Sequence, residues 1–130
     1  MCERYINISV DQPMDFTIEL YETANGECPV RAFLDELKGS DPDDFAAVVV
    51  GLAKLRNRDC HRDPLSKALG EGLFELRHVG KLNTRVLWFF VKNRRIVAVH
   101  GIRNKGRVIP ARAMKIARER MGDWQESEGR

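Results

Sequence analysis

Residues 73–102 read LFELRHVGKLNTRVLWFFVKNRRIVAVHGI and contain three apolar runs, at 73–79, 84–91 and 95–102. Side chains in these runs follow the period of two that is typical of a β-strand, and short polar segments separate the runs. Strands joined by such short connections pair with their neighbours in sequence as hairpins. The stretch therefore predicts an antiparallel meander of three strands at the centre of the fold.

The segments before the meander predict one more strand and two helices. Residues 15–26 alternate apolar and polar side chains and end at Asn-Gly, as a strand before a turn does. Residues 28–39 and 40–59 each place a proline at a favoured first helical position, and Asp41 is suited to cap the second helix. The short connection predicts an antiparallel helical hairpin. Residues 60–72 are expected to be irregular.

A last helix is expected after Pro110, where small and apolar side chains recur at helical spacing. The order strand, helix, helix, three strands, helix predicts an α+β fold with one antiparallel, twisted sheet. We expect all helices on one face of this sheet. The other face would then be open to basic side chains.

The length of 130 residues predicts a single domain, and no apolar run is long enough to cross a bilayer. Residues 1–15 lack the apolar core of a secretory signal. The three cysteines, Cys2, Cys28 and Cys60, are far apart, which fits a reducing compartment and indicates no metal site. A cytoplasmic protein without a metal or cofactor is expected.

Charge is distributed unevenly along the chain. Residues 1–76 carry eight Lys/Arg and 15 Asp/Glu, a net charge of −7, whereas residues 77–120 carry 13 Lys/Arg and one acid, a net charge of +12. A basic segment of this kind attracts a polyanion, most commonly nucleic acid, or an acidic protein. A solvated basic face without a partner is the alternative.

Basic side chains are expected to gather where the last strand of the meander ends. Guanidinium groups bind phosphate in a bidentate manner, and an ammonium group adds a point charge. RNA cleavage by the 2′-hydroxyl also needs a proton acceptor, a proton donor and charge stabilisation, and histidine titrates near neutral pH. The set that this reasoning selects is Arg77, Arg85, His100, Arg103, Lys105 and Arg107.

Three of these residues, Arg77, Arg85 and His100, interrupt apolar strands. An unpaired charge that is fully buried costs several kcal/mol, so we expect all three to line a partly open concavity. A strict alternation places His100 with Ile96 and Ala98, although a β-bulge would change this face. A partly buried structural role for His100 remains the alternative.

Four motifs together resemble a known group of proteins: LFELR at 73–77, TRVLWFF at 84–90, VHGIRNKGRVIP at 99–110 and KIARERMGDW at 115–124. This combination resembles the RelE/ParE toxin superfamily, specifically its phage-derived HigB-like branch. The resemblance implies a RelE-like fold with an N-terminal helical hairpin and a C-terminal helix.

The resemblance covers residues 14–124 and leaves 1–13 as an N-terminal extension and 125–130 as a tail. It implies the toxin of a type II toxin–antitoxin system, a metal-independent endoribonuclease that cuts mRNA in the ribosomal A site and leaves a 2′,3′-cyclic phosphate. It also implies a cognate helix-turn-helix antitoxin of the HigA-like kind. Two alternatives stay open: a ParE-like inhibitor of DNA gyrase, and an inactive nucleic-acid-binding or regulatory module.

The resemblance also implies roles for individual residues. Asn104 and Gly106 depart from the usual Lys-Lys-Thr pattern around Lys105, and Ile102 replaces an aromatic residue on which a base would stack. The catalytic residues that the resemblance implies are Arg77, Arg85, His100 and Lys105, and the further cations expected to bind RNA are Lys81, Arg103, Arg107 and Arg112.

Overall fold

A computed structural model describes residues 16–62, 65–78, 84–103 and 108–128. The described chain forms one five-stranded sheet, three α-helices and a short 3₁₀ turn. The elements are β1 (Thr17–Leu20), α1 (Pro29–Ser40), α2 (Pro42–Lys54), the 3₁₀ turn (Arg58–Cys60), β2 (Ser66–Gly70), β3 (Leu73–His78), β4 (Thr84–Val91), β5 (Arg95–Arg103) and α3 (Ala111–Glu128).

The sheet has the strand order β1-β5-β4-β3-β2. The predicted meander is confirmed as β3-β4-β5, and the α+β class is confirmed. The expectation of a wholly antiparallel sheet was wrong, because β1 pairs with β5 in parallel. The structure also adds an edge strand, β2, within the segment expected to be irregular. Most residues of β2 are not buried, so it lacks the apolar alternation of a half-buried strand.

Helices cover both faces of the sheet, which corrects the expectation of an open face. One apolar core lies between one face of the sheet and the helices α1 and α2. A second core joins α3 to the opposite face, where Ala113, Ala117 and Trp124 pack with Phe89 and other residues of the strands. The strands carry apolar side chains on both faces of the sheet, so helices must pack on each face to bury them.

The helical hairpin forms as predicted. The Asp41 side chain accepts a hydrogen bond from the Asp44 backbone N–H at 3.1 Å and so caps α2. Gly39 does not end α1, which continues through Ser40. The Asp44 carboxylate is buried and accepts a hydrogen bond from the Thr84 hydroxyl. This bond ties the first turn of α2 to the first residue of β4.

A β-bulge interrupts the pairing of β4 with β5. Trp88 pairs with Ala98 and Leu87 pairs with His100, so Val99 is an additional residue in β5. The bulge shifts the alternation of the remaining strand. His100 consequently shares the face of α3 and not the face of Ala98, which corrects the strict alternation expected from sequence.

Gly101 follows the bulge and faces α1. A Cβ atom at this position would lie 2.3 Å from Cδ2 of Phe33, far inside the distance at which carbon atoms make favourable contact. The Phe33 ring therefore packs directly on the backbone of β5. None of the helices in the described ranges has the length and apolar character needed to cross a membrane.

Replacing Gly101 with alanine is expected to lower the free energy of unfolding by about 1–3 kcal/mol, because the new methyl group displaces the Phe33 ring. Gly39→Ala is the matched control, since a Cβ at Gly39 meets nothing within 4 Å. That substitution should leave stability unchanged or raise it by up to about 1 kcal/mol. Urea unfolding of both variants measures the difference, and equal stability of Gly101→Ala and the wild type would contradict the packing described here.

Candidate phosphate-binding site

The pairing of β3 with β4 places two arginines directly opposite each other. Arg77 pairs with Arg85, which in turn pairs with Ile102 of β5. In the adjacent row, Glu75 pairs with Leu87, and Leu87 pairs with His100. Both rows lie on the α3 face, at the end of the sheet where β3 and β5 lead into residues 79–83 and 104–107. The predicted proximity of Arg77, Arg85 and His100 is thus confirmed by the register.

Glu75 lies against both members of this arginine pair. Its Oε1 is 3.5 Å from Nε of Arg77, and its Oε2 is 3.6 Å from Nε of Arg85. The Glu75 side chain is only 3% exposed. Sequence reasoning did not select Glu75, although it lies two residues before Arg77, at the spacing that places both on one face of a strand. The carboxylate reduces the repulsion between the two guanidinium groups.

The two arginines differ in their access to solvent. The Arg77 side chain is 32% exposed, whereas Arg85 is 4% exposed. The expectation that both line an open concavity is therefore wrong for Arg85. Arg85 and Glu75 form a buried charged layer on the sheet face against which α3 packs, and Arg77 lies at the rim of this layer. A ligand that approaches from solvent meets Arg77 first.

His100 is half-buried and contacts a residue of α3. Nη1 of Arg120 donates a hydrogen bond to the Val99 carbonyl oxygen at 2.8 Å and lies 3.0 Å from Nδ1 of His100. A guanidinium group has no acceptor, so in this contact Nδ1 accepts and Nε2 carries the proton. Burial, together with the positive charge of Arg120, lowers the pKa of His100 to about 4. The imidazole is therefore neutral at neutral pH.

Arg120 was not selected from the sequence, but a signal for it exists. It lies three residues after Ala117 and four before Trp124, which is the spacing of the buried stripe of α3. A charged residue within an apolar stripe needs a partner on the surface that the helix covers. Here the partners are the Val99 carbonyl and the His100 ring.

The other cations selected from the sequence do not all join this cluster. Arg103 is on the opposite face of β5, where Nη1 donates to Oγ of Ser40 at 3.1 Å and Nη2 lies 3.7 Å from Oδ2 of Asp41. The expectation that Arg103 gathers with His100 where this strand ends is therefore wrong. Arg112 is exposed on the first turn of α3. The remaining candidates, Lys81, Lys105 and Arg107, lie outside the described residues.

The site presents positive charge without a metal-binding cluster. Among residues that the structure describes, no group of three or more His, Cys, Asp or Glu side chains is arranged to hold a metal ion. The arginine pair with Glu75 carries a formal charge of +1, and Arg120 adds a second cation nearby. Such an arrangement suits a phosphate group, which guanidinium groups bind through directed hydrogen bonds.

Residues 35–122 match a family described as "Phage derived protein Gp49-like (DUF891)". The chain belongs to the phage-derived Gp49-like family. This family is tied to RelE-like toxins, and the matched segment of this Gp49-like protein includes the arginine pair, Glu75, His100 and Arg120. No curated protein matches the chain. The family match supports the resemblance to phage-derived relatives of RelE. The assignment to the HigB-like branch stays a prediction.

The half-buried His100 of the Gp49-like protein is expected to make the fold sensitive to acid. The pKa of His100 is about 4 in the folded chain, below the usual value of 6.5, so the unfolded chain binds the extra proton between these two values. Stability from this source is present above about pH 6.5 and decreases as the pH falls towards 4. The expected loss is about 2 kcal/mol.

Urea unfolding between pH 7.5 and pH 4.5 measures this contribution as the difference between the wild type and His100→Gln. The free energy of unfolding of the wild type should fall more steeply with acid than that of the variant. His61→Gln, which removes a histidine outside the site, should retain the steeper wild-type dependence. Parallel curves for the wild type and His100→Gln would contradict the assigned pKa.

Proposed function

We propose that this protein is the toxin of a type II toxin–antitoxin system and acts as a ribosome-dependent mRNA endoribonuclease of the HigB-like kind. The observation that carries the proposal is the arginine pair, Arg77 beside Arg85, on the same face as His100. The Gp49-like family assignment supports it, because the family is tied to RelE-like toxins.

The proposed reaction transfers a phosphoryl group within the RNA. The 2′-oxygen of one nucleotide forms a bond to the adjacent phosphorus, and the bond from that phosphorus to the 5′-oxygen of the next nucleotide breaks. The products are a 2′,3′-cyclic phosphate and a 5′-hydroxyl; a base takes the proton of the 2′-hydroxyl, and an acid protonates the leaving oxygen. Negative charge builds up on the phosphate oxygens, where guanidinium groups stabilise it.

The residues of the site divide these tasks. Arg77, at the rim, is suited to contact the phosphate directly, and Arg85 adds positive charge from the buried layer. His100 is neutral and, while Arg120 donates to Nδ1, offers its Nε2–H as a hydrogen-bond donor. It is thus better suited to bind a phosphate oxygen than to accept a proton through Nδ1. Lys105 is proposed to stabilise charge or to protonate the leaving oxygen.

A ribosome would complete such a site by holding the mRNA. The basic segment 77–120 attracts RNA of any sequence, since contacts to phosphate carry no sequence information. Cleavage also requires the 2′-oxygen, the phosphorus and the leaving oxygen to lie in line, and holding the reacting groups in place contributes several kcal/mol to a reaction. We therefore expect slow cleavage of free RNA.

The proposal includes a helix-turn-helix antitoxin of the HigA-like kind as a partner. An antitoxin with acidic side chains would neutralise the exposed Arg77 and so compete with mRNA for the same charge. The helical hairpin, α1 and α2, offers a second surface, on which acidic and basic side chains nearly balance.

An RNA-binding or regulatory module without catalytic activity is the second candidate. The low pKa of His100 favours it, because a histidine that stays neutral is a poor proton donor at neutral pH. Asn104 and Gly106, which replace the lysine and threonine of the resembled pattern, favour it as well. Both candidates use Arg77 to hold phosphate, with positive charge added by Arg85, and differ in whether cleavage follows.

Replacing Arg77 with alanine is expected to lower ribosome-dependent cleavage by roughly 100-fold, because a donor to the developing phosphate charge is lost. Arg77 is preferred over Arg85 for this test, since Arg77 is partly exposed whereas Arg85 is buried. Purified protein is added to ribosomes carrying a defined mRNA, and the new RNA ends are mapped by primer extension.

Arg58→Ala is the matched control. Arg58 is an exposed arginine of the 3₁₀ turn, where its guanidinium lies over the Phe16 ring, away from the candidate site. This variant should cleave like the wild type. Intact mRNA with the wild type, although the protein binds RNA, would contradict the nuclease and favour the second candidate. Growth arrest with DNA breaks and intact mRNA would instead identify a gyrase inhibitor.

A further inference from the structure

We infer that Glu75 is a positioning residue: its buried carboxylate holds the guanidinium group of Arg77 beside the buried Arg85, so that Arg77 can receive one phosphate group. This inference rests on the proposed function and assigns a role to a residue of that same site.

The sheet creates an electrostatic conflict that Glu75 relieves. Arg77 and Arg85 are directly opposite each other in the β3–β4 ladder, where like charges destabilise the pair. Arg85 is also buried, which is costly for a cation without an acid nearby. Each carboxylate oxygen of Glu75 lies near a different guanidinium group, so one acid serves both arginines.

The contacts of Glu75 are made in a way that leaves donors of Arg77 available. Both carboxylate oxygens lie near Nε atoms, at 3.5 and 3.6 Å, which is longer than an ordinary N–H···O hydrogen bond. In the described part of the chain, Oε2 of Glu75 accepts no hydrogen bond. The attraction is therefore mainly ionic, and the terminal Nη atoms of Arg77 are not bound in a bidentate fork with Glu75. A phosphate can use that fork.

The Glu75 carboxylate lies farther from the end of the sheet than the two arginines do. On the α3 face, the row that contains Glu75 lies between the row of Leu73 and the row of the arginine pair, which is closest to the end of the sheet. Glu75 is 3% exposed and Arg77 is 32% exposed. An anion that approaches this end meets a guanidinium group before the carboxylate, and the formal charge of the three side chains together is +1.

Two roles for Glu75 make opposite predictions. If Glu75 only weakens the local positive field, its neutralisation should strengthen RNA binding and leave cleavage equal or faster. If Glu75 positions the arginines, its neutralisation should lower the cleavage rate while RNA binding stays equal or becomes tighter. The second outcome lowers the rate constant of cleavage without lowering the affinity for RNA, because an additional positive charge attracts RNA but does not align it.

The test measures single-turnover cleavage of ribosome-bound mRNA and the affinity for a short single-stranded RNA with Glu75→Gln. We expect the cleavage rate to fall at least tenfold, without a loss of affinity. Glu71→Gln is the matched control, because Glu71 is an acid of the same β2–β3 hairpin and its side chain is 74% exposed. Its Oε2 lies 3.2 Å from Nε of Arg118. This control changes net charge by the same amount and should leave the cleavage rate unchanged.

Glu75→Asp keeps the charge, shortens the side chain by one methylene and protects the test against a folding defect of Glu75→Gln. A positioning role predicts a lower cleavage rate for Glu75→Asp as well, with a circular dichroism spectrum like that of the wild type. Wild-type cleavage by folded Glu75→Gln, or by Glu75→Asp, would overturn the inference while leaving the proposed nuclease intact. Wild-type protein that fails to cleave would overturn the proposed function itself.

Discussion

Between Ala98 and His100, β5 contains one residue more than the facing segment of β4, and the arrangement of both sheet faces depends on this bulge. Without Val99 as the additional residue, His100 would face the helical hairpin together with Ala98. With it, His100 meets Arg120 of α3, and Gly101 turns towards α1, where the Phe33 ring lies against the backbone. A single irregularity thus adds a histidine to the face of the arginine pair and brings α1 into close contact with the strand.

The candidate site is a charged layer between a sheet and a helix. Burying Arg85 requires an acid, and Glu75 supplies it from the neighbouring position on β3. Burying Arg120 requires acceptors, and the Val99 carbonyl and His100 supply them. With these partners in place, the site keeps a net positive charge, which is exposed to solvent at Arg77. The same contacts therefore leave a positively charged group at the rim of the site, where we propose that phosphate binds.

The sequence was sufficient to predict the meander, the helical hairpin and the proximity of Arg77 to Arg85, because each depends on local periodicity, capping or sequential pairing. It was not sufficient for β2, an edge strand whose stability comes from its pairing with β3 and not from burial. It also could not show that α3 packs on the second face. Periodicity identifies the buried stripe of a helix but not the surface that covers it.

The errors within the site have related causes. Strict alternation places His100 on the wrong face, since a bulge leaves no clear mark in the sequence VAVHGIR. The same bulge places Arg103 on the face opposite the cluster to which the sequence assigned it. Glu75 and Arg120 were missed although each interrupts an apolar pattern. A buried arginine requires an acid, which is Glu75, and α3 was not expected on the face that carries His100.

The most direct test of the account is whether RNA contacts the α3 face of the sheet. Nuclear magnetic resonance spectra of the arginine Nε–H groups, recorded while a short single-stranded RNA is added, report on each guanidinium separately. The account predicts that the signals of Arg77 and Arg85 shift as RNA binds and that the signal of Arg103, which lies on the opposite face, stays in place. Shifts at Arg103 with an unperturbed arginine pair would contradict it.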